Sequence, residues 1–290
     1  MSIHPTLSAH PLAVISPQAT LGRGVRVSAF CVIEHDVVIG DHCSIASHAV
    51  IKSGTRLGAH NTVGEGAVLG AFPQHTRMPE KLGRLEIGSH NTIREYCTLH
   101  RALHEHSSTV IGDHNFLMVG VHVAHDCRLG NSVICANNVL LAGHVLVGDR
   151  AFVSGAVAVH QFCRIGSLAM VGGHARVVQD VPPYMMVDGN TGCIVGLNLV
   201  GLRRNGFLSD EVIELKQAYR LIYRSGLKWT EVLESLKTRF THGAAAELPK
   251  FLSEGTRGFV QERRLPPNAT LKLRRDSDDE VRQAVQSKAG

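Results

Sequence analysis

IGDHNFLMVGVHVAHDCRLGNSVICANNVLLAGHVLVGDRAFVSGAVAVHQFCRIG runs from Ile111 to Gly166 and keeps a beat of six. Stepping every sixth residue from Ile111 meets Leu117, Val123, Leu129, Cys135, Leu141, Val147, Val153, Val159 and Ile165, and none is polar. Two residues before these positions stand Val121, Cys127, Val133, Val139, Val145, Ala151, Val157 and Cys163, all small or apolar. An amphipathic helix needs apolar spacing near 3.6 residues, which a strict six does not sustain, whereas short strands joined by turns do.

The same phase reaches outward from this stretch. Aliphatic-glycine pairs end at Gly22, Gly40, Gly58, Gly64, Gly70, Gly88, Gly112, Gly130, Gly148 and Gly166, and every interval is a multiple of six, most often eighteen. Eighteen residues make one three-sided coil, so the pattern is the hexapeptide signature of a parallel β-helix. Composition agrees with thin, repeated layers: 44% of the 290 residues are hydrophobic but only 5% aromatic, with 29 glycines and one tryptophan. The chain is long enough for one large domain or two small ones.

The beat predicts a β-helix over residues 1–190, with loops where it breaks at 71–84 and at an extra hexapeptide, 101–106. Past residue 190 it gives way to helical spacing in SDEVIELKQAYRLIYRSG, from a Ser-x-x-Glu-like start to a stop at Gly226, then in WTEVLESLKTRF and over 246–259. The expected plan is mainly β, with an α-helical C-terminal domain at 191–262 and a charged, flexible tail at 263–290. The opening residues show neither a signal peptide nor a membrane span, and the reading is cytoplasmic. A net charge of +5 without a basic, aromatic-laced stripe does not favour nucleic acid.

Cys31, Cys43, Cys97, Cys127, Cys163 and Cys193 fall on the inward small position and Cys135 on the inward aliphatic one. All seven read as buried small hydrophobes in a reducing compartment. His42, His60, His90 and His114 each follow a repeat glycine by two residues and read as corner residues facing water. Residues eighteen apart stack at about the 4.8 Å spacing of strands, so His125, Gly143 and Gln161 form one column, with His144 and His160 beside it. Removing the inserted hexapeptide brings His100 to the same edge.

Such an edge suits acid-base chemistry. A histidine is a natural base for a sugar hydroxyl, Asp126 follows His125 directly, and a glycine at 143 lets backbone N–H groups approach a reacting centre. No serine or cysteine nucleophile shares the edge, which favours direct transfer. Zinc is the competing reading, but HVAH spaces its histidines three apart with no tidy carboxylate set, and neither metal nor cofactor is expected.

HVAHDC, LAGHV, AVHQFC, VGGHARVVQDVPPY, GLRRNGF and AYRLIYRSG together resemble the cytosolic UDP-N-acetylglucosamine O-acyltransferase family, which begins lipid A synthesis; the likeness covers roughly residues 1–260. It implies a homotrimer of left-handed β-helices, each with a helical C-terminal domain. The implied reaction moves an (R)-3-hydroxyacyl chain from acyl carrier protein to the 3-hydroxyl of UDP-N-acetylglucosamine. In the resemblance His125 is the general base, Asp126 its orienting partner and Gly143 the oxyanion amide. His122, His144, His160 and Gln161 position substrate, Gln74 and His100 contact nucleotide sugar, Gly173 gates acyl length, and Asn198 and Arg204 contact nucleotide or carrier. Departures stand at His75, where the family pattern has an aspartate near the sugar, and at Thr191, Val200 and Asn205. They leave acyl length open, and also whether the acceptor is a 3-hydroxyl or a 3-amino sugar. Other readings are a sister N-acyltransferase, a γ-type carbonic anhydrase with zinc, and a non-catalytic binder of nucleotide sugar.

Overall fold

A computed structural model describes residues 8–263. From Ser8 to Leu197 the chain forms short strands, mostly two residues long. Successive strands go to different sheets, giving three sheets of eleven, nine and eight strands. Within each sheet a strand pairs in parallel with the one a full coil later. In the first sheet Leu117 pairs with Cys135 and Cys135 with Val153, in the second His122 pairs with Leu140 and Leu140 with Ala158, and in the third Leu129 pairs with Val147 and Val147 with Ile165. Among the described residues only the final pair, Met185–Val187 with Ile194–Leu197, is antiparallel.

The six-beat is a packing rule. From Thr20–Leu21 onward each two-residue strand turns one side chain inward, and the aliphatic series from Ile111 to Ile165 is buried throughout. Because the side chains stack in columns, a uniform aliphatic size fills the coil without large rings. Corners are closed by residues in the left-handed region, where Asn, Asp and His are enriched among non-glycine residues. His42, His60, His90 and His114 have φ of 58°, 58°, 61° and 58°, and their rings stack at 5.0, 4.8 and 4.8 Å. Inside that corner an asparagine ladder repeats the register. Asn91 N–H donates to Asn61 Oδ1 at 2.8 Å, and Asn115 N–H to Asn91 Oδ1 at 2.8 Å.

Two segments leave the coil. Residues 72–83 run without regular structure between strands Val68–Ala71 and Arg84–Ile87, and 101–107 do so between Thr98–His100 and Ser108–Ile111.

Four α-helices follow among the described residues: α1 (Leu199–Arg204), α2 (Ser209–Arg224), α3 (Trp229–Arg239) and α4 (Glu247–Glu254). The helical spacing had not suggested α1, which is six residues long and capped by the Asn198 side chain accepting from Gly201 N–H at 3.0 Å. Ser209 is the first helical residue of α2 rather than its cap; Glu211 takes the Leu208 N–H at 2.7 Å. The last helix is also shorter than 246–259. After Gly255 the chain returns to the β-helix, where Val260 N–H donates to Asp180 O at 2.8 Å. Arg164 fastens the two parts: its Nε donates to Asp180 Oδ2 at 2.8 Å and its guanidinium lies 4.1 Å from the Phe251 ring centre on α4.

One cysteine departs from expectation. Cys193 sits in the turn before the antiparallel strand, partly exposed, because the repeat has ended there; the other six are buried. The tail called at 263–290 lies outside the described residues beyond Arg263. Among the described residues no helix is long and apolar enough to cross a membrane.

Candidate active site

His122–Val123 is a strand of the second sheet, and Val123 points into the core. Three residues later the chain turns a corner at Asp126, whose φ is 60°. In a straight strand His125 and Asp126 would face opposite ways; the left-handed corner brings them together, with His125 Nδ1 2.8 Å from Asp126 Oδ2. A carboxylate only accepts, so Nδ1 carries the proton and Nε2 keeps its lone pair. Asp126 is fixed in turn: its Oδ2 accepts from Leu103 N–H at 3.1 Å, and its own N–H donates to buried Thr109 Oγ1 at 2.8 Å. Burial pushes the Asp126 carboxyl up, but hydrogen bonds from His125, Leu103 and Ser107 outweigh it and hold the carboxyl below its ordinary value.

One coil on, Gly143 lies directly beneath the base. A Cβ built there would stand 2.8 Å from both Cε1 and Nε2 of His125 and 3.3 Å from Gln161 Nε2. The three residues therefore form a column in which only a bare backbone fits under the imidazole. His144, itself at φ 60°, places Nε2 4.0 Å from Asp126 Oδ2 and its ring edge-on to His125 at 5.2 Å, and it stacks on Phe162 at 4.7 Å. Burial lowers the His144 pKa despite Asp126, with His125 and His104 adding to the shift.

A second histidine pair stands one strand away. His100 donates Nδ1–H to Phe72 O at 2.6 Å, which leaves Nε2 as a bare acceptor that is buried and has no partner among the described residues. Its ring meets His122 edge-on at 4.9 Å, and His122 Nδ1 lies 2.9 Å from Thr98 Oγ1. Burial, helped by His100, takes His122 down to about 4, and burial likewise lowers His100. Both rings are neutral at physiological pH.

A cleft of about 680 Å³ opens beside these groups, lined among others by Gln74, Thr98, His122, His125, Gly143 and Gln161 and by the outward Leu140 and Ala158. Loop 72–83 closes over it, bringing the His75 ring edge-on to His125 at 5.8 Å while its Nδ1 rests against Arg77 N–H and O at 3.1 and 2.8 Å. The structure thus gathers Gln74, His75, His100, His122, His125, Asp126, Gly143, His144 and Gln161 at one edge. His160 reaches that corner but turns Nδ1 to Gln161 O at 3.1 Å. Gly173, Asn198 and Arg204 line no part of this cleft in a single chain. At Gly173 a Cβ would stand in van der Waals contact with Gly155 O at 3.4 Å and Ser154 Cβ at 3.9 Å. The Asn198 side chain is engaged internally, donating to Leu168 O at 2.9 Å as well as capping α1.

Leu103, Thr109 and Phe162 belong to the site's scaffold and were not anticipated. Leu103 acts through its backbone, which no residue type advertises; Phe162 shares the corner column of Asp126 and His144, which the register alone could have found. His125, Asp126 and His144 also bring possible ligand atoms within 4.8 Å of one another. Zinc lies about 2.0–2.1 Å from a histidine nitrogen, so it could use Nδ1 of His125 only by replacing the 2.8 Å hydrogen bond to Asp126. The arrangement is that of an imidazole held by a neighbouring carboxylate through Nδ1.

Sequence and structure comparisons bear on the family and the fold. The bacterial transferase hexapeptide repeat matches residues 18–53 and 36–71, and the second domain of UDP-N-acetylglucosamine O-acyltransferases matches residues 180–260. The acyl-[acyl-carrier-protein]–UDP-N-acetylglucosamine O-acyltransferase of Halorhodospira halophila is 44% identical over 254 residues, covering 87% of this chain and 98% of its own. That of Gloeothece citriformis is 46% identical over 191 residues, covering 66% and 69%. The UDP-N-acetylglucosamine acyltransferase structure from Bacteroides fragilis superposes with a TM-score of 0.84 at 38% identity, covering 87% of this chain and 99% of that one. Repeat, fold and relatives define an acyltransferase built on a left-handed parallel β-helix with a small helical C-terminal part. Within that class, the chain belongs to the acyl-[acyl-carrier-protein]–UDP-N-acetylglucosamine O-acyltransferase family.

Proposed function

We propose that this enzyme transfers an (R)-3-hydroxyacyl chain from acyl carrier protein to the 3-hydroxyl of UDP-N-acetylglucosamine, the first step of lipid A biosynthesis. His125 Nε2 takes the hydroxyl proton as the oxygen attacks the thioester carbonyl. Negative charge develops on the carbonyl oxygen near the Gly143 N–H, and Asp126 stabilises the imidazolium. Collapse expels the carrier thiolate, to which His125 returns the proton. The observation that carries this reading is the 2.8 Å hydrogen bond from His125, which lines the cleft, to Asp126. His122, Gln74 and Gln161 line the cleft and, with the unpartnered Nε2 of His100, offer hydrogen-bonding groups for the nucleotide sugar, and the lack of a side chain at Gly173 supports a groove that admits a long chain.

Partners and compartment belong to the same reading. A homotrimer is supported by outward apolar rows: Leu140 is exposed, and Phe116, Ile134, Phe152 and Met170 line the outer face of the first sheet. Such rows call for a partner surface. Lys216 and Arg220 on α2, with Arg203 and Arg204 on α1, present positive charge suited to an acidic carrier protein. The free, mostly buried cysteines fit the cytoplasm.

The test is mass spectrometry of mixtures of purified enzyme, UDP-N-acetylglucosamine and 3-hydroxyacyl carrier proteins of graded length. A sugar product heavier by one hydroxyacyl group supports the reading; no product with any chain length contradicts it.

A further inference from the structure

Arg101 opens the inserted segment 101–107, directly after His100, and its guanidinium meets no carboxylate in an ion pair among the described residues. It makes three bonds to backbone carbonyls instead: Nε to Gly83 O at 2.7 Å, Nη1 to Ser53 O at 2.9 Å and Nη2 to Leu82 O at 3.2 Å. Those carbonyls belong to two separate places, the preceding coil and the C-terminal end of loop 72–83. Backbone bonds lace the same pieces together: Arg101 N–H donates to Ala71 O at 3.0 Å, Gly83 N–H to Ala102 O at 3.0 Å and Arg84 N–H to Ser107 O at 3.1 Å. Opposite the guanidinium stands Gly54 at φ 82°, where a Cβ would lie 2.7 Å from Nη2 and 2.8 Å from Cζ. The coil is thus built to leave room for this one cation.

Both ends of the loop so anchored carry consequences for the site. At its start, Phe72 O fixes the tautomer of His100, and two residues on are Gln74 and His75, the latter against the base. On the other side, the insertion supplies the Leu103 N–H that holds Asp126. A planar fork can hold three carbonyls in fixed directions, which a lysine ammonium on a flexible stem cannot.

We propose that Arg101 is a positioning residue, which through its three carbonyl bonds sets loop 72–83, and with it the nucleotide-sugar contacts, at the correct distance from His125. The proposal rests on the reading that this loop binds the acceptor sugar. Arg101 touches no reacting atom, so its signature is a loss of acceptor binding larger than the loss of turnover.

The experiment is steady-state transfer kinetics of Arg101→Lys, with each substrate varied in turn and thermal melting recorded alongside. A displacement of order 1 Å costs up to about 100-fold, so the KM for the nucleotide sugar should rise about 10- to 100-fold. The KM for the acyl carrier protein and the melting temperature should stay near wild type. Arg101→Ala should recover part of its acceptor affinity when free guanidinium ion is added at non-denaturing concentration. Unchanged kinetics in Arg101→Lys, or equal losses toward both substrates together with a fall in melting temperature and no guanidinium rescue, would overturn the proposal. Gln74→Ala separates the underlying reading: an unchanged KM for the nucleotide sugar there would show that the loop does not bind the acceptor.

Discussion

His125 Nδ1 and Asp126 Oδ2 lie 2.8 Å apart although the two residues are neighbours in sequence. The left-handed corner at Asp126, φ 60°, makes the contact possible, and the Leu103 and Thr109 bonds hold it. Asp126→Asn preserves shape but removes the charge that stabilises the imidazolium, and it can turn a donor toward Nδ1. By analogy with other acid-histidine pairs, kcat should fall about 100- to 10,000-fold, with folding unchanged. A rate within a few fold of wild type, at the same melting temperature, would show that Asp126 does not orient the base.

Gly143→Ala tests the column. The new methyl would need the space 2.8 Å from the His125 ring, so the imidazole must move off the reacting position. The adjacent amide would move with it, and loss of one such donor typically costs about 100- to 1,000-fold in kcat. A kinetic comparison showing normal kcat would place the reaction away from this column.

Stability should depend on pH through the buried imidazoles. His122 titrates at about 4 in the folded chain against an ordinary 6.5, chiefly because it is buried. Between those values the unfolded chain binds the proton and the folded chain does not, so stability present above pH 6.5 is lost as pH falls toward 4. A shift of this size is worth roughly 3 kcal/mol in full and about 1–2 kcal/mol after solvent screening. Denaturant titrations at pH 7 and pH 4.5 should show a smaller acid loss in His122→Gln than in wild type. The same loss in both would assign the effect elsewhere.

Arg164→Ala should loosen the helical part from the β-helix. It leaves the Asp180 carboxylate, 2% exposed in its side chain, without the guanidinium that pairs with it, and it removes the stack on Phe251. Breaking a buried pair by removing one partner typically costs about 3–5 kcal/mol. Thermal unfolding should shift down by several degrees or split into two transitions; an unchanged melting curve would mean the joint is held by other contacts.

The β-helix was legible because its period is a packing requirement written at every sixth residue. Corner residues were legible for the same reason, and the column His125, Gly143 and Gln161 followed from counting eighteen. What escaped lay where the period stops. The partly exposed Cys193 had the right phase but no further coil to enter. Helix α1 is too short for a periodic signal, and its cap, Asn198, looks like any loop asparagine. The grip of Arg101 depends on three carbonyls from two distant segments, and carbonyls are the same at every residue. Loop residue His75 meets His125 from a segment outside the repeat, so no register places it there.

The central claim is that His125 is the general base, and the rate of acyl transfer by His125→Ala tests it most directly. The account predicts a fall of several orders of magnitude, with a melting temperature and binding of UDP-N-acetylglucosamine close to wild type. A well-folded His125→Ala enzyme that transfers the acyl chain at near the normal rate would contradict it.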